Sequence, residues 1–226
     1  MKKAADIFSP EEINSLNQAI ARAEQHTSGE IVCVVATRSD DYPRAADIAG
    51  IWLGLLILAL CWFLLSRPPS GSWGPAVLEV DWKMLLAGLG IFLAGFMVGA
   101  LVTDRLPVVK KLFIGQRLMR ERVEQAAVRL FFQNRVSCTR RRTGILIYIS
   151  LFERMVRVLG DIGIAEKLSD ADWFGVRDLI IAGMRSGKPS EGLEKAIELC
   201  GQKLAAHFPR PAQDSNELPD QITFID

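Results

Sequence analysis

Residues 143–164, TGILIYISLFERMVRVLGDIGI, decide the reading of this chain. Gly144 opens Ile145, Leu146, Ile147, Tyr148 and Ile149, a run apolar at every position and rich in β-branched residues, which predicts a strand buried on both faces. Beyond Leu151-Phe152-Glu153-Arg154, the segment Met155 to Leu159 carries one outward charge among β-branched residues and predicts a second strand, stopped by Gly160-Asp161. So short a connection joins antiparallel neighbours, since a parallel crossover needs a dozen or more residues. The rest of the chain must cover this hairpin or hang from it.

Working outward, Glu30 to Thr37, EIVCVVAT, is a second apolar run of strand length and a natural partner for Ile145–Ile149. Ser9-Pro10-Glu11-Glu12 before it is a helix start: Ser at the N-cap offers an acceptor, Pro suits the first helical position, and Glu at the third completes a capping box. Ile13, Leu16, Ile20 and Ala23 then share one face of a helix from about Pro10 to Gln25.

Between the first strand and the hairpin the pattern changes. Half of the 226 residues are hydrophobic while 23% are charged, so the two kinds are segregated along the chain. Ile48 to Leu65 and Met84 to Val102 each pass without a charge, long enough to cross hydrocarbon at about 1.5 Å per residue. They predict a transmembrane helical hairpin, its connection broken by Pro68-Pro69 and flanked by Trp73 and Trp82. Gly50 and Gly54 in one span and Gly95 and Gly99 in the other have the spacing that lets helices approach closely, within the hairpin or between copies; packing within the hairpin is favoured. No ionisable residue lies inside either span, which argues against a proton relay or an ion path.

Lys and Arg set the expected orientation. Only Arg67 and Lys83 lie between the spans, whereas Arg105, Lys110, Lys111, Arg117, Arg120 and Arg122 follow the second. The heavily basic side is expected to be cytoplasmic, with both termini on it, in the inner membrane of a bacterial cell. The amino terminus, MKKAADIFSPEEINSL, has acidic residues where a signal peptide needs an apolar core. Net charge is +1, which leaves no whole-chain footprint for nucleic acid, so no nucleic-acid partner is expected. Cys33, Cys61, Cys138 and Cys200 are far apart and read as free residues rather than a disulfide or zinc set.

From Pro107 to about Asn134 the apolar residues recur at helical intervals, giving one helix that covers the sheet with its basic beginning near lipid headgroups. Arg140-Arg141-Arg142 falls in the turn before the central strand. A solvated turn is favoured there, and contact with phosphate or anionic lipid, shared with Lys110 and Lys111, is the alternative. Helices starting at Ser169 and at Ser190 or Glu191 follow, the last ending at His207-Phe208-Pro209; the acidic tail from Arg210 is expected to be extended or loosely attached. The domain plan is residues 1–46 and 105–209 as two parts of one α/β domain, 47–104 as the membrane hairpin, and 210–226 as tail.

Ser28-Gly29-Glu30-Ile31-Val32, Arg142 to Ile149, Gly160-Asp161-Ile162-Gly163-Ile164, Trp173, Gly187 to Gly192, Ala206-His207-Phe208-Pro209 and Asn216-Glu217-Leu218-Pro219-Asp220, in this order, resemble the TPM domain family. That family is named for a thylakoid lumen protein, a photosystem-associated protein and a modulator of a levamisole-sensitive receptor. The resemblance spans roughly Phe8 to Arg38 and Gly115 to Asp220. It implies an α/β/α sandwich around a small mixed sheet, and a domain whose members include weak phosphatases, binders of calcium or other divalent ions, and factors in assembly or repair of membrane complexes. The departure from the family is the hairpin inserted after the first strand.

A site in an α/β sheet is expected beyond the carboxyl ends of parallel strands. If the first two strands are parallel, Asp40, Asp41 and Glu153 lie there and offer hard oxygen ligands for Ca²⁺ or Mg²⁺, although Asp40-Asp41 also reads as a solvated turn. Asp161, on the opposite edge with Glu30, reads as a turn-forming residue. No Ser, Cys or His sits in an activated-nucleophile arrangement. The expected function is a binding or assembly module for a membrane complex, touching lipid and membrane proteins. The alternatives are a divalent-metal-dependent phosphatase and an anionic-lipid headgroup binder.

Overall fold

The computed structural model describes residues 3–65 and 82–226, and the chain divides into two units, Met1–Asp40 with Arg117–Asp226, and Asp41–Gln116. Trp73 and the Pro68-Pro69 break lie outside the described residues.

The first unit is built on a four-stranded sheet in the order β3-β2-β1-β4, formed by β1 (Glu30–Ala36), β2 (Gly144–Ser150), β3 (Met155–Gly160) and β4 (Thr223–Ile225). β1 runs parallel to β2, with Glu30 opposite Gly144 and Ala36 opposite Ser150. β2 and β3 are antiparallel, as the short connection requires, with Ile145 opposite Gly160. Every residue of β1 and β2 is buried, because each strand alternates its side chains between two covered faces.

Ile31, Cys33, Val35, Ile145, Ile147 and Ile149 point to one face. There they meet Leu16 and Ile20 of α1 (Pro10–Glu24), Val176 and Ile180 of α7 (Phe174–Arg185), and Leu193, Ile197 and Leu204 of α8 (Pro189–His207). Val32, Val34, Leu146 and Tyr148 point the other way, onto Val123, Ala127, Leu130 and Phe131 of α5 (Gln116–Gln133). The result is the α/β/α sandwich around a small mixed sheet. The capping box of α1 is complete: Glu12 donates its N–H to Ser9 Oγ at 3.2 Å and accepts from the Ser9 N–H at 2.7 Å.

Two expectations change. The single helix from Pro107 is broken into α4 (Pro107–Leu112) and α5, because Phe113 leaves helical geometry and Gly115 follows. The tail is held rather than loose: β4 pairs with β1, Thr37 donates its N–H to the Ile225 carbonyl at 2.8 Å, and Ile222 donates its N–H to Asn17 Oδ1 at 2.9 Å.

The second unit is an antiparallel pair of apolar helices, α2 (Pro43–Leu65) and α3 (Trp82–Arg105), followed by α4. Both helices are long and apolar enough to cross a membrane, with mean hydropathy 2.2 and 2.4 and only 17% and 11% of the most apolar window buried. Their glycines face one another. A Cβ on Gly99 would meet the Gly50 Cα at 2.9 Å, and one on Gly95 would meet the Gly54 Cα at 2.9 Å. Small residues at this spacing let the two backbones approach closely.

Candidate functional site

At the carboxyl ends of β1 and β2 the sheet continues past its formal limits: Leu151 donates its N–H to the Ala36 carbonyl and Phe152 to the Thr37 carbonyl, both at 3.0 Å. This folds Glu153 inward, where it is 3% exposed. One carboxylate oxygen accepts from the Ser39 N–H at 3.0 Å and the other from the Ser150 hydroxyl. The Ser39 hydroxyl shares a hydrogen bond of 2.9 Å with the Tyr148 hydroxyl, whose acidity is weakened chiefly by burial. Asp40 pairs with Arg122 of α5 at 3.0 Å. The edge is therefore a closed hydrogen-bonded corner in which Glu153 ties the β1 exit to the β2–β3 turn. Asp41 begins the second unit.

Hard-oxygen coordination of a divalent ion needs several carboxylate oxygens turned to one point. Among the described residues no three His, Cys, Asp or Glu side chains gather in that way, and both oxygens of Glu153 already accept protein hydrogen bonds. The donor set at this edge does not fit the ion that the resemblance implies.

The opposite edge gathers more buried acid than the sequence suggested. Glu30, at the start of β1, accepts the N–H groups of Glu217 and Leu218 at 3.2 Å each, and burial pushes its carboxyl up from the ordinary range. Glu24 closes α1 and accepts the Ile31 N–H at 2.7 Å; burial first, then the negative charges of Glu30 and Asp220, push its carboxyl up to about 9. Asp161 caps α6 (Ile162–Ala165) by accepting the Ile162 N–H at 2.8 Å, with the Arg142 guanidinium 3.9 Å from its other oxygen. Asp161 thus performs the turn-forming role read from the sequence.

The basic residues are divided between the units. Arg140, Arg141 and Arg142 lie exposed in the turn before β2, where Arg140 donates its backbone N–H to the Glu217 carboxylate at 2.9 Å and Arg142 donates to the Ser137 carbonyl at 2.9 Å. Lys110, in the other unit, is paired with Asp104 at 3.2 Å, and Lys111 beside it lies on α4. Glu24 is the buried acid that sequence reasoning missed. Its signal was present, since Leu16, Ile20 and Glu24 are spaced by four along one helix face.

Residues 110–203, running from α4 through most of α8, match the family model of the TPM domain. That stretch of the chain is similar to the TPM domain. A solved structure with the same fold is the NMR structure of the BA42 protein from the psychrophilic bacterium Bizionia argentinensis, at 21% identity and a TM-score of 0.58, with 99% of each chain covered. At that identity the likeness speaks for the fold alone. No curated protein matches the chain. The family match begins after α3, so the pair of apolar helices precedes the matched residues.

Proposed function

We propose that the chain is a membrane-tethered binding module: its TPM domain is carried by the α2–α3 hairpin and engages a membrane protein, with no catalysis of its own. The observation that supports this is the outward-facing apolar surface of two helices of membrane-spanning length, entered directly from the end of β1. The carboxyl-end corner agrees, because Ser39, Tyr148, Ser150 and Glu153 satisfy one another instead of facing a substrate. Tethering raises the effective concentration of a weak binding surface toward partners in the same bilayer, which suits a module working by association.

The test uses the full chain in detergent and in its membrane. Hydrolysis of p-nitrophenyl phosphate with Ca²⁺, Mg²⁺ or Mn²⁺ is expected to stay at background and to be unchanged by Glu153→Gln. In-membrane cross-linking is expected to give a reproducible adduct with one membrane protein. Turnover abolished by Glu153→Gln would replace the module with the phosphatase.

A further inference from the structure

We propose that α4 is an interfacial anchor: Leu106, Val108 and Leu112 sit at the boundary between the headgroups and acyl chains of the bilayer that α2 and α3 cross. The inference rests on the hairpin's spanning a membrane and goes beyond it, by assigning a lipid-contact site to residues outside both spans. The backbone sets the position. Leu106 donates its N–H to the Val102 carbonyl at 2.9 Å, so α3 is hydrogen-bonded up to it, and its extended conformation before Pro107 then turns the chain. α4 restarts at once and touches both α2 and α3, which fixes it beside the end of the hairpin.

The side chains say what covers it. Val108 is 78% and Leu112 80% exposed, four residues apart on one helix face, and Leu106 is half exposed beside them. Six residues bury nothing of their own, and α4 has no buried residue. Leu101 and Val102 at the end of α3 are exposed as well, and Val102 lies one helical turn before Leu106. A short helix with its apolar face open, joined to a spanning helix by one residue, matches a segment lying roughly 5–10 Å into the headgroup boundary.

Lys110 does not carry the contact. The Lys110 ammonium is held by Asp104 at 3.2 Å, and its side chain is only 12% exposed. The proposed contact is with the apolar boundary common to all bilayers, made by Leu106, Val108 and Leu112, so it is expected to change little with salt or with anionic lipid.

The experiment is collision accessibility of a spin label on the full-length protein in vesicles. Cys61→Ala and Cys138→Ala remove the accessible thiols; Cys33 and Cys200 are buried, and burial raises both thiols far above the usual range, so they do not label. Single labels are placed through Val108→Cys, Leu112→Cys, Leu93→Cys within α3, and Glu198→Cys on the exposed side of α8. Labels at 108 and 112 are expected to collide with oxygen several times more than the label at 198, and with a water-soluble nickel chelate several times less. The pattern should be the same in phosphatidylcholine alone and with phosphatidylglycerol added. If labels at 108 and 112 resemble 198 while 93 is oxygen-rich, the hairpin spans and the anchor is wrong. Labels at 108 and 112 shielded from both reagents would mean a protein partner covers α4, and would equally overturn it. A chelate-accessible label at 93 would remove the spanning reading and the anchor with it.

Discussion

The β1–β2 pair and the α2–α3 pair are both apolar along their length, yet they treat that surface in opposite ways. In the sheet every residue of both strands is buried by protein, whereas in the helices less than a fifth of the most apolar window is. Apolarity therefore does not say which medium covers a segment. Length and period separate the two: seven residues of strand fit between two layers of helix, while more than twenty residues of helix are long enough to cross hydrocarbon. The cohesion differs accordingly. Strand side chains gain by leaving water, at about 25 cal/mol per Å². α2 and α3 leave most of their apolar surface uncovered by protein and meet instead through close backbone contact, which Gly50, Gly54, Gly95 and Gly99 allow.

The largest expected effect comes from forcing a side chain between β2 and the loop before it. A Cβ on Gly144 would collide with the Val136 carbonyl and lie 2.7 Å from its Cγ1, both fixed, so Gly144→Val should cost more than about 5 kcal/mol despite the preference of valine for strands. Chemical denaturation of the full chain followed by circular dichroism would show it. Gly90→Val on α3, where the added Cβ meets nothing within 4 Å, should leave the same transition unchanged. If both variants behave alike, the contrast between a packed sheet and an open helix face is wrong.

Leu146→Ala and Leu56→Ala sharpen the contrast with equal chemistry. Leu146 is fully buried between β1 and α5, so its truncation should cost about 2–5 kcal/mol. Leu56 is 63% exposed, and its truncation should cost under about 1 kcal/mol of protein stability. Next, Gly99→Leu should open the helical pair at the Gly50 contact for about 1–3 kcal/mol, lowering the melting temperature of the α2–α3 unit in detergent while the sheet transition stays in place. A shift of the sheet transition instead would mean that the two units do not respond independently.

How much of this was legible follows the same physics. β1, β2, β3 and both apolar helices are local signals, set by runs and periods within the elements themselves, and so is the α1 capping box. β4 was not legible, because Thr223-Phe224-Ile225 follows a polar, acidic stretch and is held from afar. Glu30 takes the Glu217 and Leu218 N–H groups, while Asp226 accepts from Lys3 at 2.8 Å and from the Thr37 hydroxyl at 2.9 Å. The resemblance carried Asn216 to Asp220 as a motif, but nothing local showed that it closes onto β1. At the candidate site, Glu153 and Asp40 were placed correctly at the carboxyl edge, but their hydrogen-bond partners depend on a turn and a helix distant in sequence. The break between α4 and α5 had a visible cue in Gly115, outweighed in the reading by a continuous helical period.

The finest test concerns what each region does with a carboxyl group. Ile48 to Leu65 and Met84 to Val102 contain none, whereas the sheet unit buries Glu24, with a carboxyl near 9 in the folded state against an ordinary value of 4.5. Between those two values the folded chain holds a proton that the unfolded chain has released. Raising the pH therefore favours unfolding, and stability should fall from about pH 4.5 to about 9. Glu24→Gln keeps an oxygen to accept the Ile31 N–H and removes the titration. It should change stability little below about pH 4.5 and make the variant increasingly the more stable protein as the pH rises from there toward 9. Urea denaturation across that range decides it: parallel pH profiles for the two proteins would show that Glu24 is ionised and solvated, and that burial in the sheet unit is less complete than in β1 and β2 themselves.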